Sequence, residues 1–193
     1  KILAEYCLKR NVMLVLDEVY FPFGEVTGIE LTKQFHNVLV MRSFSKAFGL
    51  AGIRLGYLIG NRKIINYVSK TRTGYESNSV SMGIASYFID HYEIVLEYVQ
   101  DVKKGLNFLK NKLDHLGIEY NGGGIGNFIF INLKDSVLAK KIVRSLSQKN
   151  IYVRGGWPEP FDGGISVTGA PKHIMEIFFE EFRSLLFEKK GEI

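Results

Sequence analysis

A lysine and an aspartate stand out in this sequence because of what precedes each of them. Lys46 lies just beyond the apolar run Val38–Met41, and Asp17 directly follows the apolar run Val12–Leu16. Short, continuous apolar runs are typical of strands in a parallel sheet that is buried on both faces. Ligands of open α/β sheets bind beyond the carboxyl ends of the strands. We therefore expect the amine of Lys46 and the carboxylate of Asp17 to face one site.

An amine and an acid at one site suit imine chemistry. Enzymes that use pyridoxal 5'-phosphate need a lysine that bonds to the cofactor's aldehyde and an acid that keeps the ring nitrogen protonated. Lys46 is the candidate for the first role and Asp17 for the second. Tyr20 can donate a hydrogen bond to the ring oxygen. Serine hydroxyls and an arginine fork suit a phosphate, and the candidates are Ser43, Ser45 and Arg54.

The order and spacing of these residues resemble a known family. Residues 16–20 (Leu-Asp-Glu-Val-Tyr) and 43–57, which include Ser-Phe-Ser-Lys and Gly-Ile-Arg-Leu-Gly-Tyr, are similar to fold-type I, pyridoxal-phosphate-dependent aminotransferases of class I/II. Residues 74–79, 126–129 and 151–154 are similar to the branch that includes histidinol-phosphate aminotransferase and threonine-phosphate decarboxylase. Matches of this kind run through essentially the whole chain.

The resemblance implies a role for each candidate. Among the catalytic residues, Lys46 would be the Schiff-base lysine and proton carrier, Asp17 the partner of the ring nitrogen, and Tyr20 the donor to the ring oxygen. The cofactor phosphate would be bound by Ser43, Ser45 and Arg54. The substrate would be bound by Tyr75, Asn78 and Arg154, with Tyr75 at the substrate mouth or reaching the cofactor of a neighbouring subunit.

Two plainer interpretations stay open for single residues. Asp17 could be the N-cap of a helix, because aspartate is common at that position. Arg42 is interpreted as an ordinary exposed or salt-bridged arginine and not as a ligand.

One position departs from the family pattern. Where the family has a segment resembling Ile-Arg-Val-Thr, whose arginine grips a substrate anion, this sequence has serine, at Ser166 within residues 165–168. Serine cannot make a bidentate, charged contact. We expect either that Arg154 carries anion binding instead or that the substrate lacks a carboxylate at that position.

The resemblance implies an α/β chain with the type I fold of pyridoxal-phosphate-dependent transferases. Residues 1–73 would form the later part of the large, doubly wound domain, 74–116 an interdomain helical segment, and 117–193 a small C-terminal α+β domain. Apolar residues in the helical segment recur every three or four positions, which predicts one long helix. Those residues are Val95, Val99, Val102, Leu106 and Leu109.

The glycine-rich run at residues 122–126 invites interpretation as a phosphate-binding loop. Such loops need a helix N-terminus after them, whereas an apolar strand is expected next. We therefore interpret the run as a turn. The other elements expected in the last domain are strands at Phe128–Leu133, Ile151–Val153 and Ile165–Thr168 and helices at Ser136–Gln148 and from Pro171.

Composition excludes several classes of function. The net charge of +5 comes from dispersed lysines and arginines, which argues against a nucleic-acid surface and suits anionic ligands. No apolar run reaches the ~18 residues that a membrane span requires. A single cysteine argues against a disulfide framework and is consistent with a cytoplasmic enzyme. The histidines are scattered, so no metal site is expected.

The sequence begins inside an amphipathic helical pattern, and the resemblance implies that it lacks the N-terminal half of a longer protein. We predict an aminotransferase that exchanges an amino group between an amine or amino acid, possibly phosphorylated, and a keto acid or aldehyde. It would be a homodimer when full length, and this piece alone is expected to be inactive. The alternatives are a pyridoxal-phosphate-dependent decarboxylase of the same fold and a truncated, non-catalytic interaction module.

Overall fold

The computed structural model describes residues 1–74 and 76–187. The chain divides into two compact units, of which the first is Lys1–Leu96 and the second begins at Glu97. The division falls inside the long helix at Tyr92–His115. Each unit contains a three-stranded sheet with helices.

The first unit contains the elements that carry the candidate catalytic residues. They are α1 (Ile2–Leu8), β1 (Leu14–Asp17), α2 (Ile29–Gln34), β2 (Val38–Ser43), a single turn of 3-10 helix (Ala51–Ile53), β3 (Gly56–Gly60), α3 (Arg62–Ser69) and α4 (Ser79–Asp90). Helix α5 (Tyr92–His115) follows. The second unit continues with β4 (Glu119–Gly122), β5 (Phe128–Asn132), α6 (Ser136–Gln148), β6 (Gly164–Thr168) and α7 (Lys172–Phe187).

The first sheet places two strand ends side by side. Its order is β1-β2-β3, and β1 runs parallel to β2 with Asp17 opposite Met41. The carboxyl ends of β1 and β2 therefore lie at the same edge, as the sequence predicted. Strand β3 returns antiparallel to β2 and pairs Gly56 with Ser43. A core cluster centred on Ala4, Phe35 and Val38 packs α1 and α2 against these strands.

The prediction that Val12–Leu16 is buried on both faces was wrong. Strand β1 alternates between half-buried and exposed residues, and Val15 is 52% exposed. Val12 and Met13, which precede the strand, are exposed as well. The reason is position: β1 is an edge strand of the described sheet, whereas β2 lies between two strands and buries Val38, Leu39 and Val40.

The long helix predicted from the apolar spacing is confirmed as α5. Every residue of its predicted stripe is buried: Val95, Val99, Val102, Leu106 and Leu109. The glycine-rich run is confirmed as a turn, because it joins the antiparallel strands β4 and β5, in which Gly122 pairs with Ile129. The helix predicted at Ser136–Gln148 is α6, and its N-cap Asp135 accepts hydrogen bonds from the backbone of Val137 and Leu138.

The strand predicted at Ile151–Val153 was wrong. Ile151 lies in the turn that closes the C-terminal end of α6, since its N–H donates to the carbonyl of Leu146. Tyr152 is 79% exposed, and pairing with β6 is limited to an isolated bridge between Arg154 and Ser166. The apolar pattern therefore indicated an extended segment but not a ladder of strand hydrogen bonds.

Membrane-spanning helices and metal-binding clusters are both absent from the described residues. Within 1–74 and 76–187, none of the helices has the length and apolar content needed to cross a bilayer. The same residues contain no group of histidine, cysteine and acidic side chains that could hold a metal ion.

Candidate active site

Lys46 lies on a tight turn that directly follows β2. The backbone N–H of Gly49 donates to the carbonyl of Lys46 at 3.0 Å, and Gly49 has a φ of 69°, a conformation that favours glycine. The neighbours Phe44, Ala47 and Phe48 are buried. The turn is therefore fixed by its own apolar side chains, while Lys46 itself stays half-buried.

An aromatic cluster supports this turn from below. The ring of Phe44 lies 4.6 Å from Phe48 and 5.5 Å from Tyr57, and Phe48 lies 6.0 Å from Tyr92, measured between ring centroids. Burial raises the pKa of the Tyr92 phenol, and the positive charge of Arg42 opposes that rise. Tyr92 therefore remains a neutral, packed ring at physiological pH.

Asp17 and Tyr20 follow the neighbouring strand end. Asp17 is the last residue of β1, and its Oδ1 accepts a hydrogen bond from the backbone N–H of Val19 at 3.1 Å. Interpretation of Asp17 as a helix N-cap was wrong, because the next helix, α2, begins at Ile29. The Nζ of Lys46 lies 5.3 Å from the centroid of the Tyr20 ring. The structure thus brings the predicted amine and phenol together.

The three predicted phosphate ligands line one open cleft of about 690 Å³, together with Arg42 and β3. The hydroxyl of Ser43 accepts a hydrogen bond from the backbone N–H of Ser45 at 3.0 Å. Arg54 is exposed at a φ of 54°, and its Nη1 donates to the carbonyl of Ala51 at 3.0 Å. Two hydroxyls and a guanidinium on one wall form a donor set that suits a phosphate.

Asn78 has a structural task as the N-cap of α4. Its side chain accepts from the N–H of Ser81 at 2.8 Å and donates to the Ser81 hydroxyl at 3.0 Å. That hydroxyl donates to the carbonyl of Ile53, next to Arg54. The start of α4 is therefore tied to the segment that carries the predicted phosphate ligand. Tyr75, the other predicted substrate residue of this region, lies outside the described residues.

Arg154 lies in the second unit, directly opposite Ser166. The two residues exchange backbone hydrogen bonds of 3.0 and 2.7 Å. Directly paired residues of antiparallel chains project their side chains from the same face. The Arg154 guanidinium is 4.1 Å from the centroid of the Trp157 ring, and the Nε1 of that ring is buried without a hydrogen-bond partner. An arginine at position 166 would thus be a close neighbour of Arg154.

A largely buried ion pair at the edge of the site was not predicted from the sequence. Of the two options given for Arg42, exposed or salt-bridged, the second is confirmed: Arg42 forms a salt bridge to Glu18 at 2.9 Å, with only 12% and 11% of the two side chains exposed. The sequence does contain an indication of this pair: Glu18 follows Asp17 at the end of one strand, and Arg42 precedes Ser43 at the end of the next. Without the register of β1 and β2, however, the two could not be paired.

An amine, a phenol, a carboxylate and a cleft lined with anion-binding groups thus gather at adjoining strand ends of an α/β sheet. Residues 1–172 match the model of the family "Aminotransferase class I and II". The chain belongs to that family.

Within the family, the chain is similar to histidinol-phosphate aminotransferases. It is 31% identical over 177 residues to that enzyme from Thermotoga neapolitana, covering 92% of this chain and 51% of the relative. With that of Pyrococcus furiosus it shares 36% identity over 143 residues, covering 72% of this chain and 41% of the relative. The chain therefore spans about half the length of the curated relatives it matches.

Solved structures agree on the fold. The chain superposes with a TM-score of 0.77, at 25% identity, on histidinol-phosphate aminotransferase from Sinorhizobium meliloti in complex with pyridoxal-5'-phosphate, covering 94% of this chain and 53% of that one. For L-threonine-O-3-phosphate decarboxylase from Porphyromonas gingivalis the TM-score is 0.73 at 22% identity, covering 97% and 58%. The predicted α/β fold of type I pyridoxal-phosphate-dependent aminotransferases is confirmed over about half the length of these structures.

Proposed function

We propose that the protein carrying this chain is a pyridoxal-phosphate-dependent aminotransferase. It exchanges an amino group between an amine or amino acid that bears an anionic group, such as a phosphate, and a keto acid or aldehyde. The observation that carries this proposal is the position of the Lys46 amine, 5.3 Å from the Tyr20 ring and on the turn that follows β2. Membership of the aminotransferase family supports it.

The side chains of the first unit fit the cofactor. Ser43, Ser45 and Arg54 offer hydroxyls and a fork-shaped cation to its phosphate from one cleft. Asp17, exposed at the end of β1, offers a negative charge to the ring nitrogen. Tyr20 offers a phenol hydrogen bond to the ring oxygen. When bound, pyridoxal phosphate supplies an electron sink for the pair left when a bond to the substrate's α-carbon breaks.

Each catalytic residue then has a task of its own. The Nζ of Lys46 takes a proton from the substrate carbon and delivers it to a different atom. This role requires an amine that is held in place but is not engaged in an ion pair. The anchored turn around Lys46 supplies that placement. The carboxylate of Asp17 would stabilise a positive charge on the ring nitrogen, because an anion stabilises a nearby cation.

Substrate recognition is proposed for Tyr75, Asn78 and Arg154. Asn78 acts at least through the helix start that it caps, which is tied to Ile53. Arg154, exposed and stacked on Trp157, is the proposed anion-binding residue, since serine stands at the facing position 166. A homodimer and a cytoplasmic location, both predicted from the resemblance and composition, belong to the same proposal.

A decarboxylase is the second candidate. The similarity to L-threonine-O-3-phosphate decarboxylase, at 22% identity, shows that this fold occurs in a decarboxylase and says nothing more about the reaction. Both reactions need the same stabilisation of negative charge at the α-carbon, and the alignment of the breaking bond decides between them. A non-catalytic interaction module is the remaining alternative, and it would tolerate loss of the Lys46 amine.

The choice among these functions can be tested by following the fate of the substrate. The full-length protein carrying this sequence, supplied with pyridoxal phosphate and a panel of phosphorylated amino acids and amines, is expected to transfer the amino group to a keto acid. Release of CO₂ with no amino transfer would contradict the aminotransferase and favour the decarboxylase. No turnover of either kind, with cofactor bound, would leave the interaction module as the better account.

Anion binding by Arg154 gives a further prediction. Arg154→Ala is expected to weaken binding of the anionic substrate by about 1.5 to 3 kcal/mol, the scale for a hydrogen bond to a charged group. Ser166→Arg is expected to improve use of ordinary amino acids such as glutamate, because it adds a guanidinium beside Arg154. Steady-state kinetics on amines with and without carboxylate or phosphate would measure both effects.

The matched control for Arg154 is Arg144→Ala, which removes an exposed arginine of α6 in the same unit. It should leave every KM unchanged. If the wild type uses glutamate well and Arg154→Ala also changes no KM, the anion site lies elsewhere and Ser166 is a neutral replacement.

A further inference from the structure

The ion pair between Glu18 and Arg42 continues the pairing of β1 and β2 beyond the point where the backbone ladder ends. The last backbone hydrogen bond of the parallel pair runs from the N–H of Glu18 to the carbonyl of Met41 at 2.9 Å. Beyond it, the Nε and Nη2 of Arg42 both donate to Oε2 of Glu18, at 3.2 and 2.9 Å. Side chains therefore hold the two strand ends together where main-chain bonds no longer do.

The Glu18 carboxylate also closes the segment that follows β1. The hydroxyl of Thr27 donates to Oε2 at 2.8 Å, and the backbone N–H of Gly28 donates to Oε1 at 2.5 Å. Arg42 adds a bond of 2.9 Å to the Thr27 hydroxyl. A Cβ at Gly28 would lie 2.2 Å from the Cδ1 of Leu16, so a larger residue there would displace the Leu16 side chain. Residues 18–28 thus begin and end on the same buried carboxylate.

Tyr20 lies inside this closed segment. The N–H of Phe21 donates to the carbonyl of Glu18 at 2.9 Å, and the N–H of Phe23 donates to that of Tyr20 at 2.8 Å. Phe23 is buried, and the Arg42 guanidinium lies 3.7 Å from the centroid of the Phe21 ring. The residues that follow Tyr20 are therefore held in place, Phe23 by burial and Phe21 by the Arg42 guanidinium.

Arg42 is unsuited to be a phosphate ligand despite its place in the cleft wall. Its Nε and Nη2 are already engaged with Glu18 and Thr27, and one face of the guanidinium covers Phe21. Its neighbour in β2 is Ser43, and Lys46 follows on the next turn. A single ion pair therefore joins the segment of Asp17 and Tyr20 to the segment of Ser43 and Lys46.

We propose that Glu18 and Arg42 are positioning residues that fix Tyr20 and Asp17 relative to Lys46, without either one touching the cofactor. This inference rests on the proposed function. Removing one partner leaves the other charge buried without its counter-ion, so the closed segment should loosen. The expected consequence is a cofactor that still binds through Lys46 but is held less tightly and in a less defined orientation.

The test uses Glu18→Gln, Arg42→Gln and the double variant in the full-length protein. Hydrogen exchange without cofactor is expected to become about tenfold faster or more in the peptide covering residues 20–28. With cofactor, each single variant should lose most of the visible circular dichroism of the bound cofactor and about tenfold or more in cofactor affinity. The double variant should lose about as much as one single variant, because the two residues act as a unit.

The matched control is Glu30→Gln, which breaks an exposed ion pair with Lys33 in the same unit. It should change none of these readings. If Glu18→Gln does not fold, Thr27→Val removes one hydroxyl from the same cluster and is expected to give the same changes at smaller amplitude.

Two results would overturn the inference while leaving the proposed function intact. The first is that hydrogen exchange in residues 20–28 is unchanged in the variants. The second is that exchange becomes faster while the cofactor dichroism and affinity stay at the wild-type level, which would make the pair merely structural. A wild-type protein that never holds the cofactor on Lys46 would overturn the proposed function, and the inference with it. The two failures can therefore be told apart: failure of the inference appears in the variants, and failure of the proposed function appears in the wild type.

Discussion

Borohydride reduction of the full-length protein loaded with pyridoxal phosphate is expected to leave the cofactor covalently bound to Lys46. The amine of this lysine lies on an anchored turn at the strand ends and faces the Tyr20 ring at 5.3 Å. The absorbance of the loaded protein near the edge of the visible range should disappear on reduction. Mass spectrometry of the digested protein should then find the label on one peptide, the one containing Lys46.

Replacement of the lysine gives the matching kinetic result. Lys46→Ala is expected to lower turnover by about a thousandfold or more, since it removes the amine that we propose carries the proton. The control is Lys33→Ala, which removes an exposed lysine of α2. This variant should carry the cofactor label on Lys46 and turn over substrate at the rate of the wild type. Label on Lys63 or Lys70, which lie in and at the end of α3, would contradict the assignment.

Asp17→Asn is expected to keep the cofactor but lose turnover by a factor on the order of a hundred or more. The neutral amide removes the negative charge that we propose keeps the ring nitrogen protonated. The fold should survive, because the asparagine oxygen can still accept the hydrogen bond that Val19 donates to Asp17. Cofactor absorbance and steady-state rates, measured on the same preparation, separate binding from turnover.

The control for that substitution is Asp101→Asn, which removes an exposed aspartate paired with Lys104 on α5. Its turnover should match the wild type. A rate near that of the wild type in Asp17→Asn itself would remove Asp17 from its proposed role, whatever the state of the cofactor.

The predictions that succeeded depend on local patterns in the chain. The stripe of Val95 to Leu109 specifies α5 because its spacing has the helical period, and the strand after residues 122–126 excluded a phosphate loop. The side-by-side ends of β1 and β2 followed from the general geometry of parallel sheets. The family was indicated by the order of residues 16–20 and 43–57 and is confirmed by the match over residues 1–172. The roles of the individual site residues stay predictions.

The predictions that failed depend on neighbours distant in sequence. Val15 is as apolar as Val40, but one lies in an edge strand and the other in a central strand, and no local pattern distinguishes them. The segment at residues 151–153 has strand composition, but the pairing with β6 is limited to the next residue, Arg154, which bridges to Ser166. The ion pair of Glu18 and Arg42 was missed for the same reason, since it exists only once the register of two strands is fixed.

The exposed edge of β1 has a practical consequence for work with this 193-residue chain in isolation. An edge strand with unpaired backbone groups can template pairing with a strand of another chain, and exposed apolar side chains stabilise that pairing. Here Val15 lies in the edge strand, Val12 and Met13 lie just before it, and Ile2 and Tyr6 of α1 are also exposed. The net charge of +5 gives some mutual repulsion, which salt screens. Aggregation should therefore rise with both protein concentration and ionic strength, and we expect the chain to stay dispersed best in dilute, low-salt buffer.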